Sequence, residues 1–269
     1  MVSVDDARSR VRALALTHAT IAASMAHCLH EPPHVARRLA WRAIWRTAID
    51  ARRNRLCLER LGRGSLVLDA SEIERARLAA FARYAQAEQA PKIVASIHAI
   101  DLVPNALKAL DALPSGMRVH MPVPSRSVAA LEPVARLAAR LGKSLDLLPL
   151  KSASQQRLRR LDRGDVVFIL LDLDTRYGRT VDVRLFGDPA RIACGPFALA
   201  RRLGASMVYL HADRGELELD APHDACVHGA EHGLEALATH FARRIERSIA
   251  SAPTRWTRWH TWPQLRANG

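Results

Sequence analysis

A chain of 269 residues with 49% hydrophobic side chains buries a sizeable core, which excludes an intrinsically disordered protein. Forty basic residues against 27 acidic ones give a formal charge of +13, and 36 of the basic residues are Arg. The excess sits in residues 1–60, with eleven Arg against five acids, and in residues 241–269, with six Arg against one, so an anionic partner is expected: nucleic acid, acidic lipid or an acidic carrier protein.

Taken in order, Val11–Leu29 is the most apolar early stretch, but Arg12, His18 and His27 leave it unfit to span a membrane. Asp5 and Asp6 argue against a signal peptide. Residues 33–60 follow Pro32 and Pro33 as an amphipathic helix, with Val35, Leu39, Ile44, Ile49 and Leu56 near one stripe and Arg on the other faces. Trp41 and Trp45 lie i, i+4 on it, either facing the core or anchoring the chain at a bilayer surface. Ser71 and Glu74 form a capping box that opens a helix running to about Ala90. From there strands and helices alternate: strand Lys92–Ile97, helix Asp101–Leu113, strand Met117–Val123, helix Val128–Leu141, strand Leu145–Leu150, helix Ser152–Asp162, strand Asp165–Leu171. Residues 205–221 carry two more strands around a turn at Asp213–Gly215, and helix His228–Ala250 follows. Short apolar strands alternating with helices predict an α/β fold, with a central, mostly parallel sheet flanked by helices. Residues 1–90 are expected as a helical N-terminal extension packed on an α/β core of residues 91–269, the whole one structural unit.

Cys28, Cys57, Cys194 and Cys226 form no Cys-x-x-Cys pair and read as reduced thiols. His228 and His232 are four apart but lack the His-Glu-x-x-His order, so a polar helix start is the reading there. No metal and no cofactor is expected. No helix-turn-helix or zinc pattern appears, so nucleic acid is not expected as a partner.

Ligands of open α/β sheets bind beyond the carboxyl ends of the strands. His98 follows a strand and precedes a helix, and Asp101 lies three residues on, within reach of the same side of the first turn. Asp172 and Asp174 end the most apolar strand; they read either as a carboxylate pair for a hard cation or as loop-ordering groups partnered by Arg176 or Arg179. Arg176, Arg179 and Arg184 form a basic lip near the same end, and Arg126 follows the strand Met117–Val123.

Three segments carry a resemblance: strand Asp165–Asp174 ending in Asp-x-Asp, Leu185-Phe-Gly-Asp-Pro-Ala190 read as a loop, and helix Gly195–Ala205 with Leu199-Ala-Arg-Arg-Leu-Gly-Ala205. The tail adds Pro253, Trp256, Trp259 and His260. This order resembles the lipid A biosynthesis (lauroyl/myristoyl) acyltransferases of Gram-negative bacteria, over roughly residues 35–262. The resemblance implies transfer of a fatty acyl group from acyl carrier protein or acyl-CoA to a hydroxyl or amine of a lipid acceptor. It also implies a cytoplasmic protein, or one peripheral on the cytoplasmic face of the inner membrane at an anionic surface. It makes His98 the catalytic base. The family's His-x-x-x-x-Asp/Glu motif meets Val103 at its acid position here. Asp101 is the expected substitute; the other outcome is a non-catalytic relative that binds lipid or carrier protein, or partners an active subunit. Arg126, Asp172, Asp174, Arg176 and Arg179 are the expected substrate-binding residues, and Leu102, Leu107, Phe186 and Phe197 the expected lining of an acyl channel.

Overall fold

The structure is a computed structural model that describes residues 4–63, 68–87, 90–150, 156–172, 178–213, 216–225 and 233–266, with side chains from residue 13 onward. Six strands form the path of its main sheet, in the order β3-β2-β4-β1-β7-β8. They are β1 (Lys92–Ser96), β2 (Arg118–Val123), β3 (Ser144–Pro149), β4 (Val166–Leu170), β7 (Ser206–Asp213) and β8 (Glu216–Leu219). The pairs β1–β4, β1–β7, β2–β3 and β2–β4 are parallel; β8 and the short β9 (His223–Asp224) pair antiparallel to β7. This is the mostly parallel sheet expected from the apolar runs.

Side chains alternate across the sheet, and both faces are covered. Ile93, Ala95, Val167 and Met207 join one core cluster, while Val94, Val119, Phe168 and Leu210 join the other. The second face packs on α4 (Leu102–Ala112) and α5 (Val128–Arg140), and on α3 (Glu72–Gln86). Ser71 caps α3 as expected: its hydroxyl accepts from the Glu74 N–H at 3.1 Å, and the Glu74 carboxylate accepts from the Ser71 N–H at 3.0 Å. The first face takes α6 (Gly195–Leu203), α7 (Gly233–Ser251), and the paired helices α1 (Val4–Leu29) and α2 (Pro33–Gly62). The expected helices 152–162 and 228–250 fall partly outside the described residues, as do His228 and His232.

The segment read as a loop around Phe186 is a hairpin. β5 (Thr180–Leu185) and β6 (Asp188–Ala193) pair antiparallel across Phe186–Gly187, with φ of 53° and 81° at the two turn residues. Positive φ at both positions makes the two-residue turn that matches strand twist. A Phe there is unusual, and tertiary contacts hold it. Its N–H donates to Glu246 at 2.7 Å, and its ring meets Trp259 and Trp262 at centroid distances of 6.1 and 5.4 Å.

Trp41 and Trp45 do not face the core: they are 43% and 66% exposed. No described helix is long and apolar enough to cross a membrane.

Candidate active site

β1 and β4 are parallel neighbours with Ser96 opposite Leu170, and the Leu171 N–H donates to the Ser96 carbonyl at 2.8 Å. Two residues past these strand ends, His98 and Asp172 come together. His98 Nδ1 lies 2.8 Å from Asp172 Oδ1, and the His98 backbone N–H donates to both carboxylate oxygens at 3.0 and 3.1 Å. The Trp256 indole N–H donates to Oδ2 at 2.9 Å. Asp172 is buried and His98 half-buried. Burial by itself would raise the Asp172 carboxyl; the charge and ring N–H of His98, with the N–H groups of Trp256 and the His98 backbone, overcome it and hold the group below the usual carboxylate range. An ionised carboxylate can only accept, so the proton between the groups belongs to Nδ1 and Nε2 is left for a ligand.

The segment after α7 fastens this arrangement. The Thr257 N–H and hydroxyl both donate to the His98 carbonyl, at 2.9 and 2.8 Å, and the Ile100 N–H donates to the Arg255 carbonyl at 2.8 Å. Ala99 and Trp256 form an antiparallel bridge.

Asp101 is not the partner of His98. It caps α4 in the left-handed region at φ 68°, and its carboxylate meets Arg255 at 2.5 Å and Arg53 at 3.6 Å. It ties the C-terminal segment down instead of supporting the ring. Asp172, expected to order a loop with Arg176 or Arg179, takes the position beside His98. Asp174 and Arg176 lie outside the described residues. Arg179 is exposed at the foot of the β5–β6 hairpin, its carbonyl accepting from the Cys194 N–H at 2.9 Å. Arg126 is exposed and lines the same cavity as His98.

That cavity is about 500 Å³. Its walls are apolar: Val94, Leu102, Leu107, Met121, Val134 and Phe168 among them. It runs under α4 and α5 along one face of β1, β2 and β4. His98 marks its mouth and Val119 with Leu145 its depth, level with Lys92 on β1. Six residues of strand make that about 20 Å, at roughly 3.3 Å per residue. Of the residues expected to line a channel, Leu102 and Leu107 do so. Phe186 and Phe197 do not: both pack in the core on the opposite face of the sheet, Phe197 with its ring 6.1 Å from Phe241.

Asp172 and Trp256 were each conspicuous in the sequence, but their meeting with His98 was not. The usable signal was an equal offset: an apolar run, then His or Asp, in Ser96-Ile-His98 and Leu170-Leu-Asp172. Among the described residues no group of three or more His, Cys, Asp or Glu could hold a metal ion.

Residues 128–262 match the family model of the bacterial lipid A biosynthesis acyltransferase, half of the chain. The curated proteins give no match.

Proposed function

Since the chain belongs to the bacterial lipid A biosynthesis acyltransferase family, whose reaction is acyl transfer to a lipid acceptor, we propose that it is an active enzyme with His98 as general base. The donor in this reading is an acyl thioester, acyl carrier protein or acyl-CoA, and the nucleophile a hydroxyl or amine of the acceptor. His98 Nε2 takes the proton of the nucleophile as it attacks the thioester carbonyl. Asp172 fixes the ring's tautomer through Nδ1 and stabilises the imidazolium that forms. The thiolate of the donor leaves as the tetrahedral intermediate collapses, and the imidazolium returns the proton.

The observation that carries this reading is the 2.8 Å contact between His98 Nδ1 and a buried carboxylate, on the lining of a largely apolar cavity. A non-catalytic relative was suggested by Val103 at the motif's acid position; Asp172 supplies the missing carboxylate from the neighbouring strand. The cavity holds the acyl chain: each buried methylene contributes about 0.8 kcal/mol.

A lipid acceptor also calls for a bilayer surface. The outer face of α2 supports one: Trp41, Trp45 and Ile49 are exposed at i, i+4, i+8, and Arg38 and Arg42 flank them. In this reading the protein works at the cytoplasmic face of the inner membrane as a peripheral protein.

The test is transfer of a labelled acyl group from acyl carrier protein or acyl-CoA to a lipid acceptor by the full chain. His98→Ala is expected to lower the rate by about 10²- to 10⁴-fold, the usual worth of a positioned base. Unchanged transfer on His98→Ala excludes the base. An inert wild type that still binds acyl carrier protein favours the non-catalytic relative.

A further inference from the structure

The cavity is lined on the His98 side by several basic groups. His98, Arg126, Arg258 and His260 line the cavity, and among the described residues no Asp or Glu does. Arg258 directly follows Thr257, which holds the His98 carbonyl through two hydrogen bonds, so its side chain starts from one of the best-anchored points of the site. Its Nε is buried and has no hydrogen-bond partner among the described residues. A buried donor left unmade is costly, more so on a charged group. A guanidinium presents its donors in a rigid fork shaped for oxyanions. His260, on the same lining, has its imidazole pushed below the ordinary value, first by partial burial and then by the charges of Arg258 and His98, against a backbone hydrogen bond at Thr257.

We infer that Arg258, with Arg126 on the lining of the same cavity, binds a phosphate group of a substrate there. Two guanidiniums, with no carboxylate among the described lining residues, suit a doubly charged phosphate monoester better than a singly charged carboxylate. The inference rests on this cavity being the acyl-transfer site. Two substrates bring a phosphate: the acceptor as a monoester on a phosphorylated lipid head group, and the donor as the singly charged diester that joins its pantetheine arm to the carrier. A phosphate held this close to His98 fits the head group, because the long arm of the donor separates its phosphate from the thioester.

Calorimetric titration of the full chain with two matched pairs decides it: 4′-phosphopantetheine against pantetheine, and dihexanoyl phosphatidate against dihexanoylglycerol. In the pair that uses the site, the phosphorylated ligand binds more tightly than its partner. There Arg258→Gln weakens the phosphorylated ligand by about ten- to a hundredfold, as the loss of one charge-assisted hydrogen bond does, and leaves the other unchanged. A loss confined to phosphatidate assigns the acceptor, and a loss confined to phosphopantetheine assigns the donor. Arg126→Gln, on an exposed side chain with no fold at risk, shows a smaller loss in the same pair. No preference for phosphate in the wild type, or affinities unmoved by either substitution, overturns the inference. None of these titrations requires turnover, so they stand or fall apart from the role of His98.

Discussion

His98 and Asp172 face each other because each stands two residues beyond the same rung of two adjacent parallel strands, the rung of Ser96 and Leu170. The spacing of a dyad within one loop is thereby replaced by the register of a sheet. A slip of one residue between β1 and β4 would turn one of the two side chains to the other face.

Asp172→Asn is expected to reduce acyl transfer by about 10²-fold or more, since the amide can no longer hold an imidazolium or enforce the tautomer. Asp101→Asn, which loosens only the contacts with Arg255 and Arg53, is expected to cost about tenfold at most. The pH–rate profile separates the roles: the acidic limb, where the base of the reaction is protonated, shifts in Asp172→Asn and stays in Asp101→Asn. A larger loss from Asp101→Asn than from Asp172→Asn contradicts the assignment.

Val119→Phe is expected to move chain-length preference toward shorter acyl groups, because Val119 lies at the deep end of the cavity and a ring there fills space an acyl terminus would occupy. Competition between donors of graded length measures it, with a melting curve to register the roughly 1–3 kcal/mol that overpacking costs. An unaltered preference in a folded variant places the acyl chain elsewhere.

What the sequence made legible was mostly local. The strands were recognisable as apolar runs, and His98 at a strand end followed from Lys92–Ile97 breaking into a helix. The dyad was not legible, because it depends on β4 lying beside β1, a neighbour relation between segments some 70 residues apart with no local mark. The β5–β6 hairpin was hidden for another reason. Val181, Val183 and Leu185 alternate as a strand should, and all three are buried. Their turn, however, carries Phe-Gly where Asn-Gly is usual, and Phe186 is held at positive φ by Glu246 and two Trp rings brought from the C-terminal segment.

Anionic vesicles are expected to shift the tryptophan emission of the protein to the blue. Trp256, Trp259 and Trp262 are 3%, 1% and 2% exposed and already sheltered, so the change reports Trp41 and Trp45. Each nearby basic residue contributes about 1 kcal/mol at such a surface, and salt weakens it. Trp41→Ala with Trp45→Ala removes the shift. Equal binding to neutral vesicles that salt leaves alone counts against bilayer docking, as does a shift that appears on raising protein concentration without lipid.

Acid is expected to loosen the fold as two carboxyls protonate. Asp172 is held below its ordinary 3.8 against burial, chiefly by His98. Glu74 is held below its ordinary 4.5 against burial, by Lys108 at 2.7 Å and the N–H groups of Leu217 and Ser71. Both bind protons less readily when folded, so their stabilisation is complete above those values and disappears as pH falls below them. Glu74→Gln removes one share at neutral pH: about 3 kcal/mol in urea unfolding with an unchanged slope, since Lys108 is left half-buried without its partner. A neutral-pH stability equal to wild type refutes this account of Glu74.

The segment around Trp256 sets when the site comes into being. Its pieces arrive from residues 98, 172 and 256–257, so closing it spans more than 150 positions and belongs to the slow, non-local part of folding. A chain whose sheet has formed but whose Trp256 has not yet seated has its core and an unfastened histidine. If the proposed activity holds, turnover is expected to appear after most of the secondary structure does, and a lag between the two would time the arrival of that strap.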